Sequence, residues 1–131
     1  MVQETTTILV VDDSEHILTL MEQMLLPEGY SVITASSGEI ALQIFNTQPI
    51  DLILLDVVMP GISGLEVLAA VRASKPEPKR AVPVIIVSVK SSIADIDSAI
   101  AAEVNSYLVK PFRSEALIER IAQVLDPSTE F

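Results

Sequence analysis

Five polar residues stand where short apolar runs of the sequence end. Asp12 and Asp13 follow the first run, Asp56 the third, Ser88 closes the fourth, and Lys110 follows the fifth. Transfer of a phosphoryl group to a carboxylate needs a nucleophile, a metal ion that spans the transferring group, and a cation that offsets the equatorial charge. The spacing therefore predicts this chemistry, with Asp56 as the nucleophile because a turn after it leaves it accessible.

Three carboxylates placed together would repel one another. Two unit charges ~4 Å apart cost roughly 4 kcal/mol at an effective dielectric constant near 20. Either a carboxyl group takes up a proton or a cation binds. Oxygen ligands without Cys or His suit Mg²⁺, which is the predicted cofactor. Lys110 adds a positive charge for Asp56 or for a phosphoryl oxygen, and Ser88 offers a hydroxyl donor.

Each of these residues also has an ordinary structural interpretation. Asp12 and Asp13 alone would be an acid pair at a helix entry, stabilised by the helix dipole. Asp56 alone would initiate a turn, and Ser88 alone would be a turn residue. Their shared position at the ends of apolar runs favours the chemical interpretation.

The elements that must position these residues alternate along the chain. Apolar, mostly β-branched runs predict five strands at residues 7–11, 32–35, 52–55, 84–87 and 107–109. Helical spacing separates them, on faces such as Ile17, Met21, Met24 and Leu25, or Ile93, Ile96 and Ile100. Ser14 is the predicted cap of the first helix, and Ser37 or Ser36 that of the second. Residues 75–80 are predicted to form an exposed loop. This alternation predicts an α/β fold, a doubly wound parallel sheet with helices on both faces.

Open parallel sheets bind ligands outside the carboxyl ends of their strands, where the strand order reverses. In a sheet of order 2-1-3-4-5, that point lies between the first and third strands. Those strands supply Asp12, Asp13 and Asp56. The residues that could do chemistry are therefore expected to meet at one edge of the sheet.

Composition narrows the function classes. The 131 residues carry a net charge of −10, with 8 Lys plus Arg against 18 Asp plus Glu. Such a chain repels nucleic-acid phosphates and anionic membranes, so direct binding to either is not expected. It has no Cys, no signal-like start and no bilayer-length apolar run. We expect a cytoplasmic protein of one domain, residues 1–131, with a core at about 6–125 and frayed ends.

Three segments resemble the receiver domains of two-component response regulators, including the single-domain chemotaxis-type regulators. They are residues 8–13 (ILVVDD), 51–64 (DLILLDVVMPGISG) and 107–112 (YLVKPF). The resemblance covers residues 6–125 and implies the flavodoxin-like sheet with strand order 2-1-3-4-5. It also implies that Asp56 is phosphorylated, that Asp13 binds Mg²⁺ directly, that Asp12 binds it largely through water, and that the backbone carbonyl of Val58 is a ligand.

The same resemblance implies the residues of a switch. Ser88 is similar to the hydroxyl residue that moves to bond the phosphoryl group. Lys110 is similar to the lysine that pairs with that group. Tyr107 is similar to the aromatic residue whose rotamer changes together with Ser88. The Lys110–Pro111 peptide bond is at a position similar to one that is cis in the family, so the resemblance implies a cis peptide bond here. The phosphodonor would be a histidine kinase or a phosphotransfer protein.

The resemblance also implies an output. Phosphorylation would change the face formed by the fourth helix, the fifth strand and the fifth helix, for an output protein or domain that the sequence does not identify. The resemblance also suggests that the protein forms a homodimer through that face. Such a protein is a switch and not an enzyme, apart from its own phosphorylation and dephosphorylation.

Three positions depart from the family pattern. Val89 replaces a small residue, and its bulk is expected to crowd access to Asp56. Lys90 is at a position that influences how fast the phosphoryl group hydrolyses. Glu103 stands where a helix-ending Gly is common, so Asn105 is expected to take the left-handed turn. These departures affect rates and the choice of partner.

Three other functions are alternatives to a receiver. An aspartate-nucleophile phosphohydrolase would have its nucleophile at the end of the first strand in an Asp-x-Asp pattern, whereas Asp12 and Asp13 are adjacent. A flavodoxin-like cofactor carrier would need a phosphate loop where these carboxylates stand. A scaffold with a receiver fold but without phosphorylation remains open because of Val89.

Overall fold

Five short strands form one parallel sheet in the computed structural model, which describes residues 5–74 and 81–126. The strands are β1 (Thr7–Val11), β2 (Ser31–Ala35), β3 (Leu52–Leu55), β4 (Val84–Ser88) and β5 (Ser106–Val109). The segment 75–80, predicted to be an exposed loop, lies outside the described residues, as do residues 1–4 and 127–131 at the expected frayed ends.

The helices between the strands begin at serine caps in four cases. They are α1 (Glu15–Leu25), followed by a 3₁₀ turn (Leu26–Glu28), and then α2 (Gly38–Thr47), α3 (Gly64–Arg72), α4 (Ile93–Ala101) and α5 (Ser114–Leu125). The side chains of Ser14, Ser37, Ser63 and Ser92 each accept a backbone N–H of the first helical turn, which satisfies one of its unpaired donors. The predicted cap Ser14 is among them, and Ser37 is the one of the two candidates, Ser37 and Ser36, that caps α2.

The strand order is β2-β1-β3-β4-β5, as the sequence predicts. Val11 at the end of β1 is in register with both Ala35 of β2 and Leu55 of β3. The ladder therefore brings Asp12 and Asp56, which follow Val11 and Leu55, to the same edge of the sheet.

Both faces of the sheet are buried, because alternate residues of each strand point to opposite sides. Leu9, Ile53 and Ile86 pack on one side with α2, α3 and Ala99 of α4. Ile8, Leu54 and Ile85 pack on the other side with α1 and α5. The near-continuous apolar runs are thus accounted for by burial on two faces.

Ile93, Ile96 and Ile100, whose spacing predicts a helix, lie on α4, but two of the three are turned to solvent. Ile93 is 79% exposed and Ile100 is 63% exposed, and Ala99 is the residue that α4 buries. Helical spacing shows that residues share a side of a helix, but the packing partner decides which side faces the core.

The expectation that Asn105 takes the left-handed turn is wrong. Glu103 itself has a positive φ of 67°. Its N–H donates to Ile100 O, and the next N–H, of Val104, donates to Ala99 O, which is the pattern of a Schellman ending. Asn105 is used differently, since its Oδ1 accepts from Val84 N and from the Arg72 guanidinium.

Among residues 5–74 and 81–126, none of the helices combines the length and apolarity needed to cross a membrane.

Candidate functional site

The carboxylates of Asp12, Asp13 and Asp56 meet at the carboxyl end of the sheet. Ligand oxygens of the three residues all lie within 4.8 Å of one another. Backbone hydrogen bonds hold two of them at this edge, from Asp12 N to Ala35 O and from Asp56 N to Val11 O. Asp12 and Asp56 are buried, at 3% and 8% exposure, while Asp13 is exposed. The cluster therefore opens to solvent on the Asp13 side.

Lys110 lies between two of these carboxylates. Its Nζ is 2.7 Å from Asp12 Oδ2 and 3.5 Å from Asp56 Oδ2. The backbone N–H of Lys110 donates to Ser88 O at the end of β4, which holds the loop after β5 at this edge. The other oxygen of Asp12, Oδ1, accepts the N–H of Ser14. Both oxygens of Asp12 are thus engaged, a pairing that the sequence did not reveal.

Burial raises the pKa of the Asp56 carboxyl above its usual range. The Lys110 ammonium opposes this rise, and the Asp12 carboxylate adds to it. The backbone N–H groups of Val57 and Val58 donate to Asp56 and lower its pKa in part. These two donors are a further feature that sequence reasoning missed, because a backbone contact leaves no mark on residue types.

The donor set fits a hard divalent cation. It offers three carboxylates, whose oxygens are the ligand type that Mg²⁺ and Ca²⁺ prefer, and it contains no sulfur or imidazole. Val58 is 52% exposed in the loop after β3, where its carbonyl is one of the expected ligands. The unbalanced negative charge on this edge is what a cation would neutralise.

Gly64 allows α3 to begin directly against Asp56. A Cβ at Gly64 would collide with the backbone carbonyl oxygen of Asp56, and the Gly64 N–H donates to Val57 O at 2.9 Å. Gly61 takes a positive φ of 80° in the turn between them. The absence of a side chain at Gly64 therefore sets how closely the loop that carries Asp56 packs on the helix.

Ser88 and Tyr107 meet at the backbone of Lys90. Ser88 is fully buried, and its Oγ accepts the N–H of Lys90 at 3.2 Å. Tyr107 Oη donates to the carbonyl of Lys90 at 2.7 Å. Burial raises the pKa of the Tyr107 hydroxyl, and its hydrogen bond with Ser88 opposes that rise. The loop that begins α4 is therefore tied to both predicted switch residues.

Val89 faces a groove beside the site. The groove has a volume of about 360 Å³ and is lined by Ile17, Leu20, Met21, Met24, Val89, Lys110, Pro111 and Phe112. The Lys110–Pro111 peptide bond at its edge is cis. The Val89 side chain is 67% exposed, so the groove and not the core receives its bulk.

Residues 8–122 match the family of the response regulator receiver domain. Transcriptional regulatory protein YrkP of Bacillus subtilis (strain 168) is 40% identical over 114 residues, which are 87% of this chain and 47% of that protein. Alkaline phosphatase synthesis transcriptional regulatory protein PhoP of the same strain is 37% identical over 118 residues, 90% of this chain and 48% of that protein. The chain thus spans about half the length of these relatives.

Solved structures share the fold at similar identity. Chemotaxis protein CheY4 of Vibrio cholerae has a TM-score of 0.87 at 30% identity, covering 92% of this chain and 99% of that one. Response regulator protein TrrA of Thermotoga maritima, in complex with Mg(2+)-BeF, has a TM-score of 0.80 at 37% identity, with coverage of 92% and 99%. Since the matched residues carry the whole acidic edge and nearly the whole sheet, this chain belongs to the response regulator receiver domain family.

Proposed function

We propose that the chain is a signalling switch in which Asp56 accepts a phosphoryl group from the phosphohistidine of a histidine kinase or a phosphotransfer protein. The observation that carries the proposal is the convergence of Asp12, Asp13 and Asp56 within 4.8 Å, with the Lys110 ammonium in contact with two of them. This arrangement contains a nucleophile, metal ligands and a fixed cation.

In the proposed transfer, an Asp56 carboxylate oxygen attacks the phosphorus in line. The P–N bond breaks, and its electron pair stays on the imidazole of the donor. The Lys110 ammonium offsets charge on the phosphoryl oxygens. Mg²⁺ held by Asp13, Asp56, the Val58 carbonyl and, through water, Asp12 would supply further positive charge at those oxygens.

The switch that we propose begins at Ser88. The acyl phosphate adds acceptor oxygens near the Ser88 hydroxyl and Lys110. When Ser88 turns toward them, the N–H of Lys90 loses its acceptor and the Tyr107 bond to Lys90 can rearrange. A full swing of a two-state population needs roughly 5.5 kcal/mol, and hydrogen bonds to charged groups contribute about 1.5–3 kcal/mol each.

We propose that the output is the face formed by α4, β5 and α5, acting in the cytoplasm on an output protein or domain. Residues 1–131 would serve as one receiver unit, and a homodimer through the same face is a further proposal. In this account the only chemistry is the chain's own phosphorylation and dephosphorylation.

The test is labelling with acetyl phosphate and Mg²⁺, followed by mass spectrometry of the intact protein. The wild type should gain one acid-labile phosphoryl group, and Asp56→Asn should gain none. Asp97→Asn, an exposed aspartate on α4, is the matched control and should label as the wild type does. Labelling of Asp56→Asn would refute the assignment, and no labelling of the wild type would leave the scaffold function as the better account.

A further inference from the structure

The loop between β3 and α3, residues 57–63, is held at both of its ends. At its start, Val57 O accepts the N–H of Gly64 at 2.9 Å. At its end, Ser63 caps α3 in a capping box, in which the cap and the first helical turn bond each other reciprocally. Val58, whose carbonyl is an expected Mg²⁺ ligand, lies between these two points. The contacts in the middle of the loop therefore bear on where that carbonyl lies.

The middle of this loop contacts the Glu39 carboxylate, in the first turn of α2. Glu39 Oε2 accepts the N–H of Ile62 at 3.4 Å. The same carboxylate lies over Gly61, because a Cβ at Gly61 would be 2.6 Å from Glu39 Oε2 and 3.2 Å from Oε1. The carboxylate thus occupies the space that a side chain at Gly61 would need, beside a backbone with a φ of 80°. Glu39 therefore contacts two successive residues of the loop.

The side chain of Ile62 packs on the start of α2 as well. Gly38 is buried there, and a Cβ at Gly38 would lie 2.6 Å from Ile62 Cγ1 and 2.7 Å from Val67 Cγ2. The glycine therefore lets Ile62 approach the helix backbone closely. Successive residues of α2 hold Ile62 in two ways, since Gly38 receives its side chain and Glu39 accepts its N–H. The hydrogen bond joins positions 23 residues apart, so it fixes one element against another.

We propose that Glu39 is a positioning residue for the Mg²⁺ site, because its carboxylate fixes residues 61–62 and, through the loop, the carbonyl of Val58. Mg²⁺ demands near-ideal octahedral geometry, so a small displacement of one ligand lowers its affinity. Among the described residues, the carboxylates that meet within 4.8 Å are the three aspartates of the site. Glu39 therefore acts through the loop and not as a ligand. This inference rests on the proposed function, since it concerns the same metal site.

The negative charge of Glu39 offers a competing explanation for any effect on Mg²⁺. Loss of a carboxylate weakens cation binding by simple Coulomb attraction, whichever groups the carboxylate touches. Two substitutions separate the charge from the contact. Glu39→Gln removes the charge and keeps a side-chain oxygen of the same reach, which can still accept the N–H of Ile62. Glu39→Ala removes both the charge and the acceptor. A positioning role predicts that only the alanine variant impairs the site.

The experiment is a calorimetric titration of the whole 131-residue chain with Mg²⁺, for the wild type and both Glu39 variants. Glu115→Ala is the matched control, because Glu115 is an exposed glutamate in the first turn of another helix, α5. A second measurement needs no metal: the amide signal of Val58 is followed by NMR in EDTA. That N–H donates to Asp56, so its chemical shift reports the position of the loop. Urea unfolding in EDTA verifies that each variant folds.

Glu39→Ala should weaken Mg²⁺ binding by about fivefold, as the loss of one hydrogen bond to a charged group allows. Glu39→Gln and Glu115→Ala should stay within about twofold of the wild type. The Val58 signal should move in Glu39→Ala and stay in place in Glu115→Ala. Unchanged binding in Glu39→Ala, or a loss in Glu39→Gln or Glu115→Ala equal to that in Glu39→Ala, would overturn the positioning role.

Acetyl phosphate labelling of the wild type distinguishes this failure from that of the proposed function. If the wild type is labelled at Asp56 while Glu39→Ala binds Mg²⁺ normally, only the positioning role of Glu39 is lost. A wild type that binds Mg²⁺ but takes no label contradicts the proposed function. A wild type that binds no Mg²⁺ contradicts both.

Discussion

The ammonium of Lys110 lies 2.7 Å from Asp12, closer than its 3.5 Å distance from Asp56. Lys110 therefore occupies, in part, the charge-neutralising role that a metal ion would take at the same carboxylates. The bond joins residues 98 positions apart in the chain, so it depends on the alignment of β1 with the far edge of the sheet.

Replacing Lys110 should strengthen the binding of Mg²⁺ and slow phosphorylation. In Lys110→Met the three carboxylates lose their fixed cation, and a unit charge at ~4 Å is worth up to roughly 4 kcal/mol near the protein surface. We expect Mg²⁺ to bind about tenfold more tightly, measured by calorimetric titration. Labelling by acetyl phosphate should become slower, because nothing replaces the lysine at the phosphoryl oxygens. Lys90→Met is the control, and unchanged or weaker Mg²⁺ binding in Lys110→Met would contradict the role of the pair.

Asp56→Asn should stabilise the metal-free domain at neutral pH. Burial raises the pKa of Asp56 in the folded protein, so the folded state binds its proton more tightly than the unfolded state does. Stability is then lost as the pH rises from the ordinary Asp value of about 3.9 through the raised pKa, by about 1.4 kcal/mol for each unit of elevation. The variant lacks this loss.

Urea unfolding in EDTA between about pH 5 and pH 8 measures the difference. The advantage of Asp56→Asn should be largest at the upper end and shrink toward the lower end. Asp97→Asn, which is exposed, should show no such trend. If Asp56→Asn were less stable than the wild type at pH 8, burial would not be the dominant influence on the pKa of Asp56.

Gly64→Ala should damage the proposed metal site as well as the fold. The added Cβ would collide with the Asp56 carbonyl oxygen, so the loop that carries Asp56 and Val58 must move. We expect a loss of about 1–3 kcal/mol in unfolding free energy and clearly weaker Mg²⁺ binding. Gly29→Ala is the control, because Gly29 has a φ of 94° with no atom near its Cβ position. It should lose stability through backbone strain and keep its Mg²⁺ affinity; equal Mg²⁺ loss in both variants would remove the special role of Gly64.

Glu103→Gly should stabilise the domain. A residue with a side chain loses roughly 1–2 kcal/mol of stability in the left-handed conformation, and glycine removes this strain. The greater freedom of glycine in the unfolded chain offsets about 0.4–1 kcal/mol of the stability that is gained. A net increase of about 0.5–1 kcal/mol in unfolding free energy is expected from denaturant titration. Glu119→Gly, inside α5, should instead be destabilising by about 1 kcal/mol. A loss of stability in Glu103→Gly would mean that its side chain contributes more than its backbone strain costs.

The sequence by itself determined which polar residues lie at the ends of the strands. Because strands buried on two faces need continuous apolar runs, Asp12, Asp56 and Lys110 could be located at strand ends without coordinates. Residue types then limited the chemistry to carboxylates, a hydroxyl and an ammonium. Both inferences depend on short-range pattern, which is legible along the chain.

Tertiary structure alone decided which of these groups touch. The pairing of Lys110 with Asp12, the donation of the Val57 and Val58 N–H groups to Asp56, and the Schellman ending at Glu103 depend on where separate elements dock or on backbone geometry. The outward orientation of Ile93 and Ile100 has the same origin, because helical spacing is identical whichever side faces the core. Sequence periodicity shows which side of a helix is apolar, whereas packing against the sheet determines which side is buried.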